Sequence, residues 1–469
     1  MGSGPDFTRS IPRIAAVFSA VLLLLVPAIW NGFPFLFFDT GAYLARAFDG
    51  TLSPGRSAVY GFALAAGRWP DFWPVVVAQV AVTVWVLALV LRVHGLGKHP
   101  LLLITLIALL TVATALPWLA GELMPDLFAG LSVLALYLLL FCADKFNRWE
   151  RIGLIALVAF AAAGHNATLA VLLALVITAA GAHIFWPSIV PRAGLARTAL
   201  ALVLGSALLL TANFAVAGRL AWTPGGTAFI FGRLVQDGIV ARFLADHCPS
   251  TRFRLCKERK RLPDTVEDFL WQGGAKGVFV KLGGFDDYHG EMAAISRASL
   301  LLYPGQHLAT ALISTGRQLV RVGTGDGIVH HVWDAYGAIE RLVPAAVPAA
   351  HTARQRFGQL PFEQLNRLHK PIAWASIAIL PLLLLLVWRR RDLADLAMLT
   401  ATIGTALMAN AFVCGVLSNP VDRYGARLVW IATFLLVIAI ARLAPAVTRS
   451  NRWILEPRLL LWPGKLSPA

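Results

Sequence analysis

The amino-acid sequence predicts an all-α, polytopic membrane protein. Of its 469 residues, 58% are hydrophobic and only 14% are charged, and the mean hydropathy is +0.69. Ordinary soluble domains carry about 25% charged residues. Apolar runs of about 20 residues, the length that lets a helix cross a bilayer, recur along the chain. Together these observations exclude a soluble domain and predict about ten transmembrane helices.

The predicted spans are separated by polar turns and by one long polar segment. They cover residues 12–31, 73–93, 100–118, 123–142, 151–164, 167–186, 195–217, 371–388, 393–414 and 425–443. Arg9 and Arg13 precede the first span as in a signal peptide, but no small-residue cleavage site follows, so we expect a retained helix. The chain is thus divided into an N-terminal transmembrane module (1–217, first outer loop 32–72), an extracytoplasmic segment (218–370) and a C-terminal transmembrane module with a cytoplasmic tail (371–469).

Basic residues predict the orientation, because Lys and Arg are enriched in short cytoplasmic loops. With the N-terminus in the cytoplasm, 17 Lys and Arg residues fall in the inside loops and tail, against 5 in the short outside loops. Both termini are then cytoplasmic. The 218–370 segment is placed outside, since large domains translocate regardless of charge. The alanine- and arginine-rich composition is typical of a high-GC bacterium, so we expect a bacterial inner (plasma) membrane.

The net charge of +16 also fits a membrane protein. In a membrane protein, basic residues set topology and bind anionic lipid, so membrane lipids rather than nucleic acid are the expected partners. The cytoplasmic loops are short and contain no nucleotide-binding pattern. Any chemistry is therefore expected on the outer face.

Asp39 is the first carboxylate after the first predicted span, in the stretch Asn31 to Tyr60. It follows the apolar run FPFLFF, so it emerges from apolar surface at the membrane boundary. Partial burial would raise its pKa and a nearby cation would lower it. A carboxylate in this position suits general-base work on a hydroxyl. The alternative is a helix cap for GAYLARAF, whose spacing predicts a short amphipathic helix on the membrane.

Further polar residues are predicted on the same face. Asp126 opens the fourth span, with Glu122 one turn before it, and an acid at a helix start is favoured by the dipole alone. Asp126 is also a second carboxylate beside Asp39. It would organise an acceptor or a divalent metal, Mg²⁺ or Mn²⁺. His165 and Asn166 interrupt two apolar helices, which favours a hydrogen bond between helices or, alternatively, the lining of a cavity.

Arg423 and Tyr424 lead into the last predicted span. The guanidinium is a permanent cation whose planar donors match phosphate, and the phosphate at a membrane interface belongs to a lipid. The alternatives are an arginine that reaches toward head groups or one that pairs with Asp422.

The 218–370 segment is predicted to be mostly helical and contains 19 Lys and Arg against 13 Asp and Glu. Cys248 and Cys256 both lie in it, separated by a short polar loop. In an oxidising compartment they can form a disulfide, whereas their spacing is not that of a zinc site.

Taken in chain order, these residues resemble the GT-C superfamily of membrane glycosyltransferases, which includes the protein mannosyltransferases and the lipid A aminoarabinose transferases. The family pattern begins with an acid after the first helix, a Tyr, a Gly and a Pro-rich approach to the second helix. A second acid opens a later helix, and an Arg-Tyr pair enters a late span. The matching positions here are Asp39, Tyr43, Gly50, Pro54–Tyr60, Asp126, Arg423 and Tyr424.

The resemblance implies an inverting transfer of a sugar from a polyprenyl-phosphate-linked donor to a lipid, glycan or protein acceptor. Asp39 would deprotonate the acceptor hydroxyl, and Arg423 would stabilise the charge that develops on the lipid phosphate. Candidates for the substrate cavity are Tyr43, Arg56, Tyr60, Glu122, His165 and Asn166. This chain departs from the pattern in having Asp39-Thr40 where many relatives have Asp-Glu. It also carries its large polar segment before the eighth span.

Two other functions fit the same composition. A polymerase or ligase of surface polysaccharide would use outer arginines more than an aspartate base. A transporter or flippase of a lipid-linked precursor should show internal repeats and interrupted or ionisable helices at mid-membrane, and neither feature is evident in the sequence. A purely structural role in the envelope would draw on the basic outer segment.

Overall fold

The computed structural model describes residues 7–218, 220–249, 253–272, 274, 277–281, 283–287 and 289–444. Within these ranges the regular elements are helices and no β-strand is formed, which confirms the all-α class. The predicted cytoplasmic tail, 445–469, lies outside the described residues.

The helices alternate between long apolar elements and short connecting ones. In chain order they are α1 (Phe7–Asn31), α2 (Thr40–Arg46), α3 (Ala58–Ala66), α4 (Trp73–Val93), α5 (Pro100–Ala113), α6 (Leu116–Ala120), α7 (Leu127–Phe141), α8 (Arg148–Gly164), α9 (Asn166–Phe185), α10 (Arg192–Ala217), α11 (Gly226–Gln236), α12 (Ile239–His247), α13 (Leu255–Glu258), α14 (Val278–Lys281), α15 (Gly284–Asp287), α16 (His289–Leu302), α17 (Pro304–Val320), α18 (Trp333–Leu342), α19 (Val347–Thr352), α20 (Phe362–Val387), α21 (Ala394–Leu417) and α22 (Asp422–Leu443).

Seven helices in the described ranges are long and apolar enough to cross a membrane: α1, α4, α9, α10, α20, α21 and α22. They make the chain a multi-pass helical membrane protein. The predicted spans 100–118 and 123–142 correspond to shorter apolar helices, α5 and α7, of 14 and 15 residues. Helix α5 ends early because the Thr114 hydroxyl donates to the Leu110 carbonyl and accepts from the Leu116 N–H. Helix α8, with 17 residues, begins at a capping box formed by Asn147 and Glu150.

Helix α7 lies at the centre of the bundle. Each of its residues from Leu127 to Leu140 is buried. It packs against α22, where the indole of Trp430 covers Gly130 so closely that a Cβ on Gly130 would lie 2.6 Å from the ring. This close contact places the start of α7 beside the start of α22.

The first loop forms the predicted short helix, α2, and a second helix, α3, but neither is an amphipathic helix exposed on one face. Helix α2 is buried on nearly all sides beneath α18, and a Cβ on Gly41 would lie 2.5 Å from the Asp334 carbonyl. Helix α3 packs on α2 in turn, with Gly61 against the Tyr43 carbonyl. The apolar spacing of this loop therefore reflects burial within the protein.

The 218–370 segment is mostly helical, as predicted, and its two parts pack differently. Residues between 228 and 303 form a hydrophobic core of their own. Residues between 322 and 353 instead join the core of the helix bundle. The predicted boundary at residue 370 falls inside α20, which begins at Phe362.

The structure forms the predicted disulfide between Cys248 and Cys256, whose Cα atoms are 5.7 Å apart. Cys142 and Cys414 are free and buried, consistent with packing residues inside the bundle.

Candidate active site

The backbone brings the first loop to the start of α7. The Phe35 N–H donates to the Gly121 carbonyl, and the Leu123 N–H donates to the Phe35 carbonyl, both at 2.9 Å. The Thr40 hydroxyl adds a bond of 3.3 Å to the Leu123 carbonyl. These contacts join segments more than 80 residues apart and place Asp39 near Asp126.

Gln355 fixes the same loop from the other side. Its side-chain amide accepts from the Leu36 N–H at 2.9 Å and donates to the Leu36 carbonyl at 2.6 Å. Its own N–H donates to the side chain of Asn31, at the end of α1, at 2.8 Å. A residue of the long segment thus holds the loop that carries Asp39.

The start of α22 turns Arg423 inward. Asp422 accepts from the Gly323 N–H at 3.0 Å and lies 3.5 Å from the Lys370 ammonium. Because Asp422 is engaged in this way, it is not the partner of Arg423, and the predicted alternative of an Arg423–Asp422 pair is wrong. The Arg423 N–H donates to Asp326 at 2.9 Å.

Arg423 lies between the two predicted aspartates. Its Nε and Nη2 donate to the two carboxylate oxygens of Asp126 at 3.1 and 2.8 Å, and its Nη1 donates to Asp39 at 3.2 Å. The Phe37 ring lies 4.1 Å from the guanidinium carbon and adds a cation–π contact. Side chains from three distant parts of the chain thus form one cluster, as the sequence predicts.

Asp39 and Asp126 both occupy N-cap positions, yet neither side chain caps its helix. Both carboxylates instead contact guanidiniums. A cap would have explained Asp39 without a functional site, so the absence of a cap bond removes the alternative predicted for that residue.

Arg56 completes the accessible part of the cluster. It is hydrogen-bonded to Asp39 on the side opposite Arg423. Its guanidinium also lies 5.7 Å from the ring of Trp271, which belongs to the long segment. Burial alone would raise the pKa of Asp39, but the charges and hydrogen bonds of Arg56 and Arg423 lower it by more. The pKa of Asp39 therefore lies below its usual range.

A second arginine lies behind Asp126. Arg427 is 3.7 Å from the Asp126 carboxylate and donates to the Asn410 side chain at 2.8 Å. It also donates to His165 Nδ1 at 3.2 Å, which is the predicted hydrogen bond between helices. Burial and the neighbouring Arg427 lower the pKa of His165 to about 3, so its imidazole is neutral and accepts this bond.

The predicted cavity residues Tyr43, Tyr60 and Glu122 lie deeper. The two tyrosine rings meet edge to face at 5.4 Å, both almost fully buried, and Tyr60 donates to the Gln79 side chain at 2.9 Å. Gln79 in turn donates to the Glu122 carbonyl at 2.9 Å. They therefore support the cluster from the core. Burial and the charge of Asp126 raise the pKa of Glu122 well above its usual range.

The two remaining predicted residues take minor positions. Tyr424 covers Arg427 with its ring at 5.2 Å and accepts from Asn410 through its carbonyl at 2.7 Å. Asn166 begins α9 beside His165.

The cluster has an accessible layer and a sealed layer. The side chains of Asp39, Arg56 and Arg423 are 18%, 19% and 12% exposed, whereas those of Asp126 and Arg427 are 1% and 0% exposed. Three guanidiniums, those of Arg56, Arg423 and Arg427, meet the carboxylates of Asp39 and Asp126, while the Asp326 carboxylate accepts from the Arg423 backbone N–H. The arrangement places two partly accessible guanidiniums, which can bind an anion, beside a partly accessible carboxylate, which can accept a proton.

The residues do not fit a resident divalent cation. Arg423 occupies the space between Asp39 and Asp126, so a metal ion would have to displace a guanidinium from both. Among the residues that the structure describes, no three His, Cys, Asp or Glu side chains come together as a ligand set. The Mg²⁺ or Mn²⁺ that the sequence suggested therefore does not fit between these two carboxylates.

Sequence reasoning missed several members of the site. Arg427 and Asn410 lie inside apolar helices and Gln79 inside α4, where one polar residue gives little signal. The loop GTGDGIVHHV, residues 323–332, supplies Asp326 and contacts Phe37 through Gly327. Its alternating glycines were the available signal, because such spacing marks close backbone approach.

Comparison with known protein families, with curated proteins and with solved structures found no match for this chain.

Proposed function

We propose that this chain is a membrane glycosyltransferase of the GT-C type that uses a polyprenyl-phosphate-linked sugar as donor. One observation carries the proposal: Arg423 bridges Asp126 and Asp39, which are 297 and 384 residues away in the chain. The resemblance to the GT-C pattern contributes only the order of these residues. The geometry adds a cation that fits a phosphate next to a carboxylate that fits a hydroxyl.

The donor phosphate binds at the accessible guanidiniums of Arg56 and Arg423. Both arginines contact Asp39 in the structure, and their charge keeps its pKa low. A weakly basic carboxylate is a poor proton acceptor. When the phosphate takes over these guanidiniums, it weakens their hold on Asp39 and its basicity rises. Donor binding therefore prepares the base.

The acceptor hydroxyl then attacks the anomeric carbon of the sugar. A bond forms between the acceptor oxygen and that carbon, while the bond from the carbon to the phosphate oxygen breaks. The electron pair leaves on the phosphate, where Arg423 and Arg56 stabilise the charge. The acceptor proton passes to Asp39. The acceptor, whether lipid, glycan or protein, approaches from the side opposite the phosphate, so the configuration inverts.

Asp126 and Arg427 act as positioning residues. Asp126 holds Arg423 with two parallel hydrogen bonds, a geometry that fixes the plane of a guanidinium. Arg427 and His165 support Asp126 from within the sealed layer. The cation that meets the phosphate is therefore oriented before the donor arrives.

We also propose how the chain crosses the membrane. Helices α5, α7 and α8 complete ten spans, and both termini face the cytoplasm of a bacterial inner membrane. Helix α7 is short for a span, but it is enclosed by other helices and needs no lipid-facing length. The 218–370 segment is extracytoplasmic, where an oxidising environment suits its disulfide.

The experiment is a transfer assay with the full chain in vesicles. Undecaprenyl-phosphate-linked radiolabelled hexose or aminoarabinose is supplied with a membrane lipid and glycan extract, and release of free undecaprenyl phosphate is measured. We expect Asp39→Asn and Arg423→Ala each to lower the rate about 100-fold or more. Asp144→Asn, at a highly exposed acid far from the cluster, should keep the wild-type rate.

Near-normal transfer by folded Asp39→Asn would refute the general-base role. Movement of the lipid-linked sugar across the bilayer without covalent transfer would favour the transporter.

A further inference from the structure

Helix α17 exposes apolar side chains and buries polar ones, the reverse of a helix that faces water. Its exposed residues are apolar up to the last turn, and the large ones are Leu308, Leu312, Ile313 and Val320. We call these four residues the α17 stripe. They are between 53% and 66% exposed. A helix that faces water carries its polar residues on the exposed side.

The buried side of α17 is polar. Ser314 and Gln318 are each 1% exposed. Ser314 accepts from Arg233 at 2.6 Å, and the Gln318 amide exchanges two hydrogen bonds of 3.0 Å with the Val421 backbone. The polar groups of this helix are thus satisfied inside the protein. The stripe points away from it.

The stripe is continuous with the surface of a membrane-spanning helix. Helix α17 packs directly on α21, where a Cβ on Gly415 would lie 2.6 Å from the Ser314 carbonyl. Helix α21 has its own exposed apolar side chains at Met408 and Phe412. On the other side, the exposed indole of Trp374 in the spanning helix α20 donates to the Val320 carbonyl at 3.0 Å.

We propose that α17 lies in the membrane, with the stripe in contact with the acyl chains of the bilayer. Lipid is the occupant that the observations favour, because helices that face lipid expose apolar side chains and bury polar ones. Arg317 and Arg321 are exposed at the C-terminal end of α17, where their guanidiniums suit the phosphates of the head groups. Part of the long polar segment is therefore a membrane element.

The test is fluorescence quenching with single cysteines in the full chain, in a background where Cys142 and Cys414 are replaced by alanine. Leu308→Cys and Leu312→Cys carry a bimane label in vesicles of phosphatidylethanolamine and phosphatidylglycerol. The matched control is Glu363→Cys, at an 80% exposed side chain at the start of α20. These substitutions lie on exposed surface, so they should leave the fold intact.

We expect lipids brominated on their acyl chains to quench the labels at positions 308 and 312 at least twofold, with little effect of iodide in the water. The control should respond in the opposite way. Quenching by iodide alone at positions 308 and 312 would overturn the proposal in favour of a water-facing helix. Protection from both quenchers would overturn it in favour of contact with a second copy or another protein.

Discussion

Asp39 and Asp126 show how two identical side chains take different roles through their surroundings. Asp126 is sealed from solvent and bound bidentately by Arg423, whereas Asp39 is partly accessible and shared by Arg56 and Arg423. A sealed carboxylate with a fixed partner can only orient that partner. An accessible carboxylate whose partners can be drawn away by an anion can exchange a proton.

This difference predicts a difference in stability. Removing one partner of a buried ion pair leaves an uncompensated charge and costs about 3–5 kcal/mol. We therefore expect Asp126→Asn to lower the free energy of unfolding by about that amount, because Arg423 and Arg427 both lose their carboxylate. Asp39→Asn should cost less, since its surroundings are partly solvated. Denaturant unfolding of the two variants in detergent compares them, and equal stability would contradict the assignment of a sealed layer.

Glu122 predicts a pH dependence of stability. Its pKa is raised in the folded protein, so its contribution to stability is complete below the unfolded pKa of about 4.3 and is lost as the pH rises through the folded pKa. Glu122→Gln removes this loss. We expect the variant to melt at a higher temperature than wild type at pH 8, with a smaller difference at pH 5. An increase at pH 5 that equals or exceeds the one at pH 8 would contradict a raised pKa for this buried acid.

At the scale of elements, the loop at residues 323–332 carries one wall of the site. Gly327 has a φ of +85°, and a Cβ there would lie 1.7 Å from the ring of Phe37, on which Arg423 rests. Both the backbone conformation and the contact require glycine. A residue about 290 positions from Phe37 thus determines where the Arg423 guanidinium lies.

We expect Gly327→Ala to displace Phe37 and to lower transfer activity at least tenfold in the vesicle assay. The matched control is Gly337→Ala in α18, where a Cβ would meet nothing within 4 Å. Because alanine is the better helix former, the control should be stabilised by up to about 1 kcal/mol while activity is retained. Full activity in Gly327→Ala would show that this loop does not form the site.

The helices also explain which site residues the sequence could predict and which it could not. Asp39, Asp126 and Arg423 were identifiable because each stands where an apolar run begins or ends, so a charge there is conspicuous. Arg427 was not, because its partner Asn410 is on another helix and only packing brings them together. The burial of α2 was also missed, since an apolar face looks the same in sequence whether protein or lipid covers it.

At the scale of the whole molecule, helices that are far apart in the chain meet at the candidate site. The ends of α1, α7 and α22 meet, and the long segment before α20 returns to cover them through Gln355, Asp326 and Trp271. Residues between 228 and 303 of this segment form a hydrophobic core of their own, whereas residues between 322 and 353 join the core of the helix bundle. Under the proposed function, such a cover would limit the access of water to the transfer reaction, for which hydrolysis would be the competing outcome.

The central claim, that Asp39 competes with a lipid phosphate for Arg423 and Arg56, is tested most directly by the equilibrium binding of undecaprenyl phosphate to the full chain in vesicles. Asp39→Asn removes the competing carboxylate, so we expect it to bind this lipid at least as tightly as wild type. Arg423→Ala should bind it at least tenfold more weakly. If Asp39→Asn weakens binding as much as Arg423→Ala does, or if neither substitution changes it, the cluster is not a phosphate site with an adjacent base.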